Sequence, residues 1–500
     1  MTSFFTSASH PSLLAMPALA LMLALSGCTV GPDYQKPQVN HPADWSAWRS
    51  GDASLHQLPG SDAQINVRWW ESYHDPILNQ LVTKALSASP DLKTAALNFA
   101  AARAQGSQTS AAQLPEVTLS GKVSREKISE KGSSTRLISE VYSGTNADSL
   151  LDMFGQPYSW YQAGVDFSWE IDLWGHVRRA VEAAGADTEA QKALLAQAQL
   201  SIISDVVTNY YTLRDIQQQI VLAKEDERSM DERLALIRAQ TQGGSLDYSA
   251  LERQQAELAA TRAKQVDLRQ QEGQTINQIL LLLGERPGEL QKELGPQYNS
   301  AGQTALPALN AGLPSQVAIN RPDIRSAEAK LHAATARIGV AKAELYPSIT
   351  LGGHFGYDTW KGSDFGQWGA RTWSIGPSLD LPLFDYGKRK SVVVLREVEQ
   401  QQAAVDFHKT VLKAWQEIDD ALNRYTAAQQ KLHQQQQQVK SAEEALSITD
   451  ARYKGGMTDF INVLDSQRSA IQARTALVDS ESEVRKAFAA VNRATGNYPR

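Results

Sequence analysis

The chain holds 500 residues, 42% hydrophobic and 21% charged, with a formal net charge of −6, an acidic balance that argues against nucleic acid as a partner. Its 32 Gly and 19 Pro are too few for a collagen-like or wholly disordered chain. One cysteine and nine scattered histidines exclude an internal disulfide and a cysteine-cluster metal site, so neither metal nor cofactor is expected.

Leu13 to Leu25 is an apolar run interrupted by Pro17, too short to span a membrane but suited to a signal-peptide core. It ends in Leu25-Ser26-Gly27-Cys28, the form of a bacterial lipobox, in which small residues give a peptidase access to the bond before a Cys that takes diacylglycerol. Residues 1–27 are therefore expected to be a signal peptide and Cys28 a lipidation site, although the leader lacks the usual Lys or Arg. Thr29, where an Asp would favour inner-membrane retention, points to an outer-membrane lipoprotein. No later stretch reaches about 20 apolar residues, so a chain that crosses a membrane must do so as a closed β-barrel.

The sequence repeats itself. A shift of 232 pairs Pro90-Asp91 with Pro322-Asp323, Pro115 with Pro347 and Thr118-Leu119 with Thr350-Leu351. A shift of 212 pairs Gly164 with Gly376, Gly175 with Gly387, Gly243-Gly244 with Gly455-Gly456 and Asp247 with Asp459. The difference is a 20-residue insertion in the first copy, between Gly121 and Gly164, with loop composition. The expected organisation is a lipidated segment 28–75, a first repeat 76–296, a linker 297–313, a second repeat 314–496 and a tail 497–500.

Each repeat opens with a helical pattern, about Asp75 to Gln113 and about Arg321 to Leu345. Two strand patterns follow. Tyr161, Ala163, Val165, Phe167 and Trp169 alternate with Gln162, Gly164, Asp166, Ser168 and Glu170, a period of two. Val117, Leu119 and Val123 alternate likewise, as do Ile349, Leu351, Phe355 and Tyr357, and Trp373, Ile375, Pro377 and Leu379. Such alternation also fits a half-solvated sheet on a soluble domain. Aromatics near the strand ends (Tyr158, Trp160, Trp169, Trp174, Tyr346, Tyr357, Trp373, Tyr386) favour a membrane barrel with interface girdles. With the apolar faces toward lipid, Asp166, Glu170, Asp172 and Asp380 face the lumen, where rings of carboxylates favour cations.

A very long helix comes next in each copy, from Gly175 to Gly243 and from Gly387 to Gly455, roughly 100 Å at 1.5 Å per residue. Ile203, Val206, Tyr210, Leu213 and Ile220 follow a heptad-like rhythm broken at Gln217, and the run Gln434 to Gln438 suits a solvated face. Return helices, about Leu246 to Leu283 and about Asp459 to Thr495, follow each Gly-Gly reversal. No nucleophile elbow, phosphate loop or zinc-protease motif is present, and Asp364-Phe365-Gly366 lacks the other parts of a kinase; no enzyme is expected.

Cys28-Thr29-Val30-Gly31-Pro32-Asp33-Tyr34, Trp69-Trp70 before Asp75-Pro76, Glu170-Ile171-Asp172-Leu173-Trp174-Gly175 and Pro382-Leu383-Phe384-Asp385-Tyr386-Gly387 together resemble the outer-membrane lipoprotein components of RND-type tripartite efflux pumps, the TolC-like channels. The resemblance spans Cys28 to Arg500. It implies an α+β membrane channel in which a β-barrel shared between protomers, four strands per chain, continues into a periplasmic α-helical coiled-coil tunnel. It also implies a homotrimer, a periplasmic adaptor protein and an inner-membrane RND-type transporter as partners beside the outer-membrane lipid. Four strands cannot close around a pore alone; the residues themselves do not choose three copies over two.

By the same resemblance, the tips around Gly243, Gly244 and Asp247 and around Gly455, Gly456 and Asp459 meet the adaptor. The stretch Tyr453 to Asp465 resembles the family's tip segment, where two acidic positions three residues apart line a constricted entrance. Asn462 and Asp465 occupy those positions here, with Asn462 departing from the double-acid pattern and Leu464 an alternative apolar constriction. The expected function is a passive exit duct for small molecules such as drugs or toxic compounds. Type I protein secretion is the rival within the channel class, and a poreless structural coiled-coil lipoprotein is the alternative outside it. The strands argue against the latter, which has no use for them.

Overall fold

The computed structural model describes residues 29–56, 66–133, 135–141, 145–296, 309 and 314–499. Cys28, the leader 1–27 and all of the linker 297–313 except Leu309 lie outside them. The chain divides into two compact units. The first comprises Met1–Gln35, Arg103–Asp187 and Leu331–Gln402; the second comprises Lys36–Ala102, Thr188–Lys330 and Ala403–Arg500.

Where one opening helix was expected from Asp75 to Gln113, two form: α1 (Pro76–Ala88) and α2 (Pro90–Ala111). Asp75 starts the first by accepting hydrogen bonds from the N–H groups of Ile77 at 2.9 Å and Leu78 at 3.2 Å, and Pro76 brings no N–H that would need a partner there. Pro90 ends it. A residue before proline is pushed out of the helical region, and Ser89 accordingly sits at ψ 127°. The 20-residue insertion also departs from its loop expectation, carrying the short helices α3 (Arg136–Val141) and α4 (Thr145–Phe154). Leu150, Leu151, Met153 and Phe154 supply α4 with an apolar stripe at helical spacing.

Four strands lie in the first unit: β1 (Glu116–Glu126), β2 (Tyr158–Glu170), β3 (Ser348–Thr359) and β4 (Arg371–Asp380). They form one antiparallel sheet in the order β1-β2-β3-β4. The register sets Thr118 beside Asp166, Asp166 beside His354 and His354 beside Ser374. Every even-numbered strand residue therefore falls on one face and every odd-numbered one on the other. The odd face is apolar and open, with Leu119 81%, Trp373 68% and Ile375 65% exposed. Two girdle aromatics are corrected by this parity. Tyr158 and Trp160 are even-numbered and lie on the polar face, where the Trp160 indole N–H donates to Asp358.

Duplication is visible in helix lengths. The long helices α5 (His176–Gln242) and α10 (Lys388–Lys454) both have 67 residues, and the return helices α6 (Tyr248–Leu282) and α11 (Phe460–Ala494) both have 35. The first copy closes with α7 (Gln291–Leu294), and the second opens with α8 (Pro314–Asn320) and α9 (Pro322–Ala343), the counterpart of α2. The core of the second unit gathers Trp69, Trp70 and Tyr73 with α1 and with stretches of α5, α6, α10 and α11. Ile203, Val206, Tyr210, Leu213 and Ile220 are all buried. Gln217, the break in their rhythm, is buried too, because its amide donates to the Leu294 carbonyl at 2.8 Å and accepts from Arg214 at 2.7 Å.

Candidate functional site

Three groups of residues were singled out by sequence: carboxylates on the strands, the two tips and a pair on the last return helix. On the strands, Asp166 belongs to the even, polar face in the middle of β2. Its two oxygens accept from Ser120 Oγ at 3.1 Å and face His354 Nδ1 at 2.7 Å. The imidazole lies over Gly164 and Gly356, which oppose each other in the register; a Cβ on Gly164 would come within 2.5 Å of His354 Cε1. The second carboxylate is similar. Glu170 ends β2 and lies 3.1 Å from His176 Nδ1, at the first residue of α5.

Asp172 lies beyond the strand and is occupied as a helix cap. It accepts from the N–H groups of Val177 at 3.2 Å and Arg178 at 2.8 Å and pairs with the Arg178 guanidinium. Asp380 closes β4 opposite Ser348 and is exposed. Neither histidine partner was foreseen: the register brings His354 to Asp166 from 188 positions away, and the turn from β2 into α5 brings His176 back to Glu170. The matching even parity of Asp166 and His354 is the one trace of the first pairing in the sequence.

At the tips the reversals are alike. Gly244 and Gly456 adopt φ of +72° and +71°, the left-handed conformation that favours glycine. The chain then closes each helix end with Ser245 N–H donating to the Gln240 carbonyl at 2.9 Å and Met457 N–H to Arg452 at 2.8 Å. Gly243 and Gly455 precede them and donate to Ala239 and Ala451, each at 3.1 Å. Asp247 caps α6 by accepting from Ser249 N–H at 2.6 Å, and hydrogen bonds from Ser249 hold its carboxyl below the usual carboxylate range. Asp459 occupies the same place before α11 without a side-chain cap bond.

Asn462 and Asp465 are both exposed one turn apart on α11, as their i, i+3 spacing requires. Asn462 donates to Thr458 Oγ1 at 2.9 Å. Leu464 does not share that face. It is buried with Val463 and Phe460 against Met230, Leu234, Ile237, Leu251 and Leu258 of the first repeat, so it holds the two tips together instead of forming a constriction.

A cavity of about 480 Å³ opens in the second unit among Tyr210, Tyr211, Asp215, Glu481 and Arg485. Burial pushes the Asp215 carboxyl up to about 6, against a lowering hydrogen bond from Gln219 and with a further raise from Asp479. Gln219 donates to both carboxylates, at 3.3 and 2.6 Å. Among the described residues no cluster suited to a metal ion is found and no helix is long and apolar enough to cross a membrane.

A family model described as outer membrane efflux protein matches residues 81–285 and 313–497. Nodulation protein T of Rhizobium leguminosarum bv. viciae is 30% identical over 95% of this chain and 92% of its own length. The toluene efflux pump outer membrane protein TtgI of Pseudomonas putida is 29% identical over 93% and 94% of the two chains. Among solved structures, the outer-membrane channel OprN matches 94% of this chain and 99% of its own, with 31% identity and a TM-score of 0.82.

Proposed function

The chain belongs to the outer membrane efflux protein family, and we infer that it works as the outer-membrane exit duct of a tripartite pump, three copies sharing one barrel. Its family is one of channels, not of enzymes. One observation carries this reading. The sheet presents a continuous apolar face to the outside, while β1 and β4 have no second neighbour among the described residues. Open sheet edges cannot be satisfied in lipid, so further copies must close them, and three of them supply about twelve strands.

Several finer assignments are proposed on the same footing. Cys28 is acylated and helps hold the chain at the membrane. The tips at Gly243, Gly244, Asp247, Gly455, Gly456 and Asp459 receive a periplasmic adaptor, which links the duct to an inner-membrane RND-type transporter. Asp465 with Asn462 lines the periplasmic entrance, and Asp166, Glu170 and Asp380 line the lumen. Asp172 contributes there only at the helix junction, since its oxygens already serve α5. The cargo is small organic molecules, in keeping with relatives named for toluene efflux.

The test is accumulation. Cells lacking the gene should retain a fluorescent apolar dye, and the plasmid-borne gene should restore its export. Unchanged dye retention in the deletion strain, with the partner pump expressed, would count against small-molecule efflux and favour protein secretion.

A further inference from the structure

The duplication makes the seam between neighbouring copies readable, and this inference rests on the shared-barrel reading above. The two hairpins obey the sequence shifts to the residue. Raising β1 by 232 and β2 by 212 turns Ser120 opposite Gly164 into Gly352 opposite Gly376, and Thr118 opposite Asp166 into Thr350 opposite Ser378, the pairs found between β3 and β4. What lies between the hairpins, the β2–β3 junction, has no counterpart inside one chain. Its counterpart is β4 of one copy against β1 of the next.

We propose that this seam is antiparallel in a single register, with Ser378 opposite Lys122 of the next copy. The same two shifts carry Asp166 opposite His354 into that pair, Ser168 opposite Gly352 into Asp380 opposite Ser120, and Trp169 opposite Leu351 into Leu381 opposite Leu119. The result pairs even with even and odd with odd, so the apolar face continues across the seam; a one-residue slip would turn it inward. Asp380 then lies diagonally across from Lys122, a reachable distance for a cross-strand ion pair. Among the described residues of its own chain, the one ion pair of Lys122 is a 3.9 Å contact with Glu126.

Side chains below the strands agree. In the first copy Trp174 stacks on Tyr346 with ring centroids 4.8 Å apart and donates its indole N–H to the Pro347 carbonyl at 2.9 Å. The shifts carry Trp174 to Tyr386 and Tyr346-Pro347 to Leu114-Pro115. Tyr386 is 92% exposed and Leu114 is 70% exposed. Their counterparts Trp174 and Tyr346 shield each other in part, Trp174 being half-buried and Tyr346 42% exposed, and the seam places Tyr386 of one copy over Leu114-Pro115 of the next. Ile171 N–H donates to Ile349, so odd residues of β2 aim their N–H groups at β3, and odd residues of β4 aim theirs at the seam. The missing N–H of Pro377 therefore leaves the pairing inside the chain intact and costs the seam one hydrogen bond, to Val123 of the next copy.

Cysteine cross-linking reads the register directly. Even pairs at the seam are the non-hydrogen-bonded kind, with Cα atoms about 4.5 Å apart, within disulfide reach. The full-length double variant Ser378→Cys/Lys122→Cys, mildly oxidised in membranes, should form covalent dimers and closed trimers at least about tenfold faster than Ser378→Cys/Ser120→Cys or Ser378→Cys/Ser124→Cys, whose partners sit about 7–8 Å away. Faster cross-linking of either shifted pair overturns the register while leaving the duct intact. Absence of cross-linking in all three, with trimers still present by native mass spectrometry, overturns the β4–β1 seam itself. Absence of any oligomer in the unmodified chain overturns the shared-barrel reading and the seam with it.

Discussion

Arg321 ties three helices of the second unit together, and its removal has a magnitude that follows from its contacts. The side chain is only 5% exposed. It donates to the Ala494 carbonyl at the end of α11 at 2.6 Å, to both oxygens of Asp323 at 2.9 and 2.6 Å, and to Glu417 of α10 at 2.6 Å. Gly496 makes the room, since a Cβ there would lie 2.9 Å from Arg321 Cγ. Breaking a buried ion pair by removing one partner costs about 3–5 kcal/mol. Asp323 and Glu417 are 27% and 41% exposed and regain water in the variant, which puts the loss near the lower end, about 3 kcal/mol or roughly a hundredfold in the folded ratio. Arg321→Ala should lower the urea midpoint of helical circular dichroism accordingly, and Arg321→Lys, which keeps the charge without the planar fork, should fall between. Ser89 stands at the corresponding place in the first copy, buried with its hydroxyl unpartnered among the described residues, so Ser89→Ala removes no hydrogen bond and should leave the midpoint at or above that of wild type. Arg321→Ala and Arg321→Lys both matching wild type would refute the reasoning.

Asp215 has a folded-state pKa of about 6 against an ordinary 3.8, so the folded state holds the extra proton between those values and its stability rises as pH falls through 6. Asp215→Asn should therefore raise the melting temperature at pH 7 and lose that advantage by pH 4; a constant difference across the range would contradict the burial argument. At the entrance, Asp465→Ala should raise single-channel conductance or weaken block by multivalent cations, whereas Glu444→Ala, exposed on α10, should do neither. Gly456 sits at φ +71°, so Gly456→Val should strain the reversal and depress export while trimer amounts stay normal; normal export would leave the tip without its proposed contact. Mass spectrometry of the mature N-terminus should find Cys28 first and acylated, and an unmodified Cys28 would remove the lipid anchor from the account.

The long elements were legible because their ends carry glycine. α5 and α10 begin one residue after Gly175 and Gly387 and stop one before Gly243 and Gly455, and both leading glycines have positive φ. Strand faces were legible through the period of two. Contacts set by register or by packing between the copies were not. The pairing of His354 with Asp166 and the burial of Leu464 both depend on which distant residue arrives opposite, whereas the side taken by Trp160 was readable from its even parity and was passed over. The cap made by Asp172 was missed for a related reason: the alternation was followed past Glu170, where the backbone had already turned toward α5. Pro90 and the α4 stripe were local signals, present in the sequence and passed over in favour of one continuous helix and one loop.

Conduction tests the duct most directly. Purified full-length protein, reconstituted as trimers in planar bilayers, should open channels of uniform conductance whose reversal potential in a salt gradient shows cation preference. Asp166→Asn combined with Glu170→Gln should reduce that preference, since both carboxylates lie on the polar face of β2. Trimers that insert but conduct nothing, or that prefer anions regardless of these two residues, would contradict it.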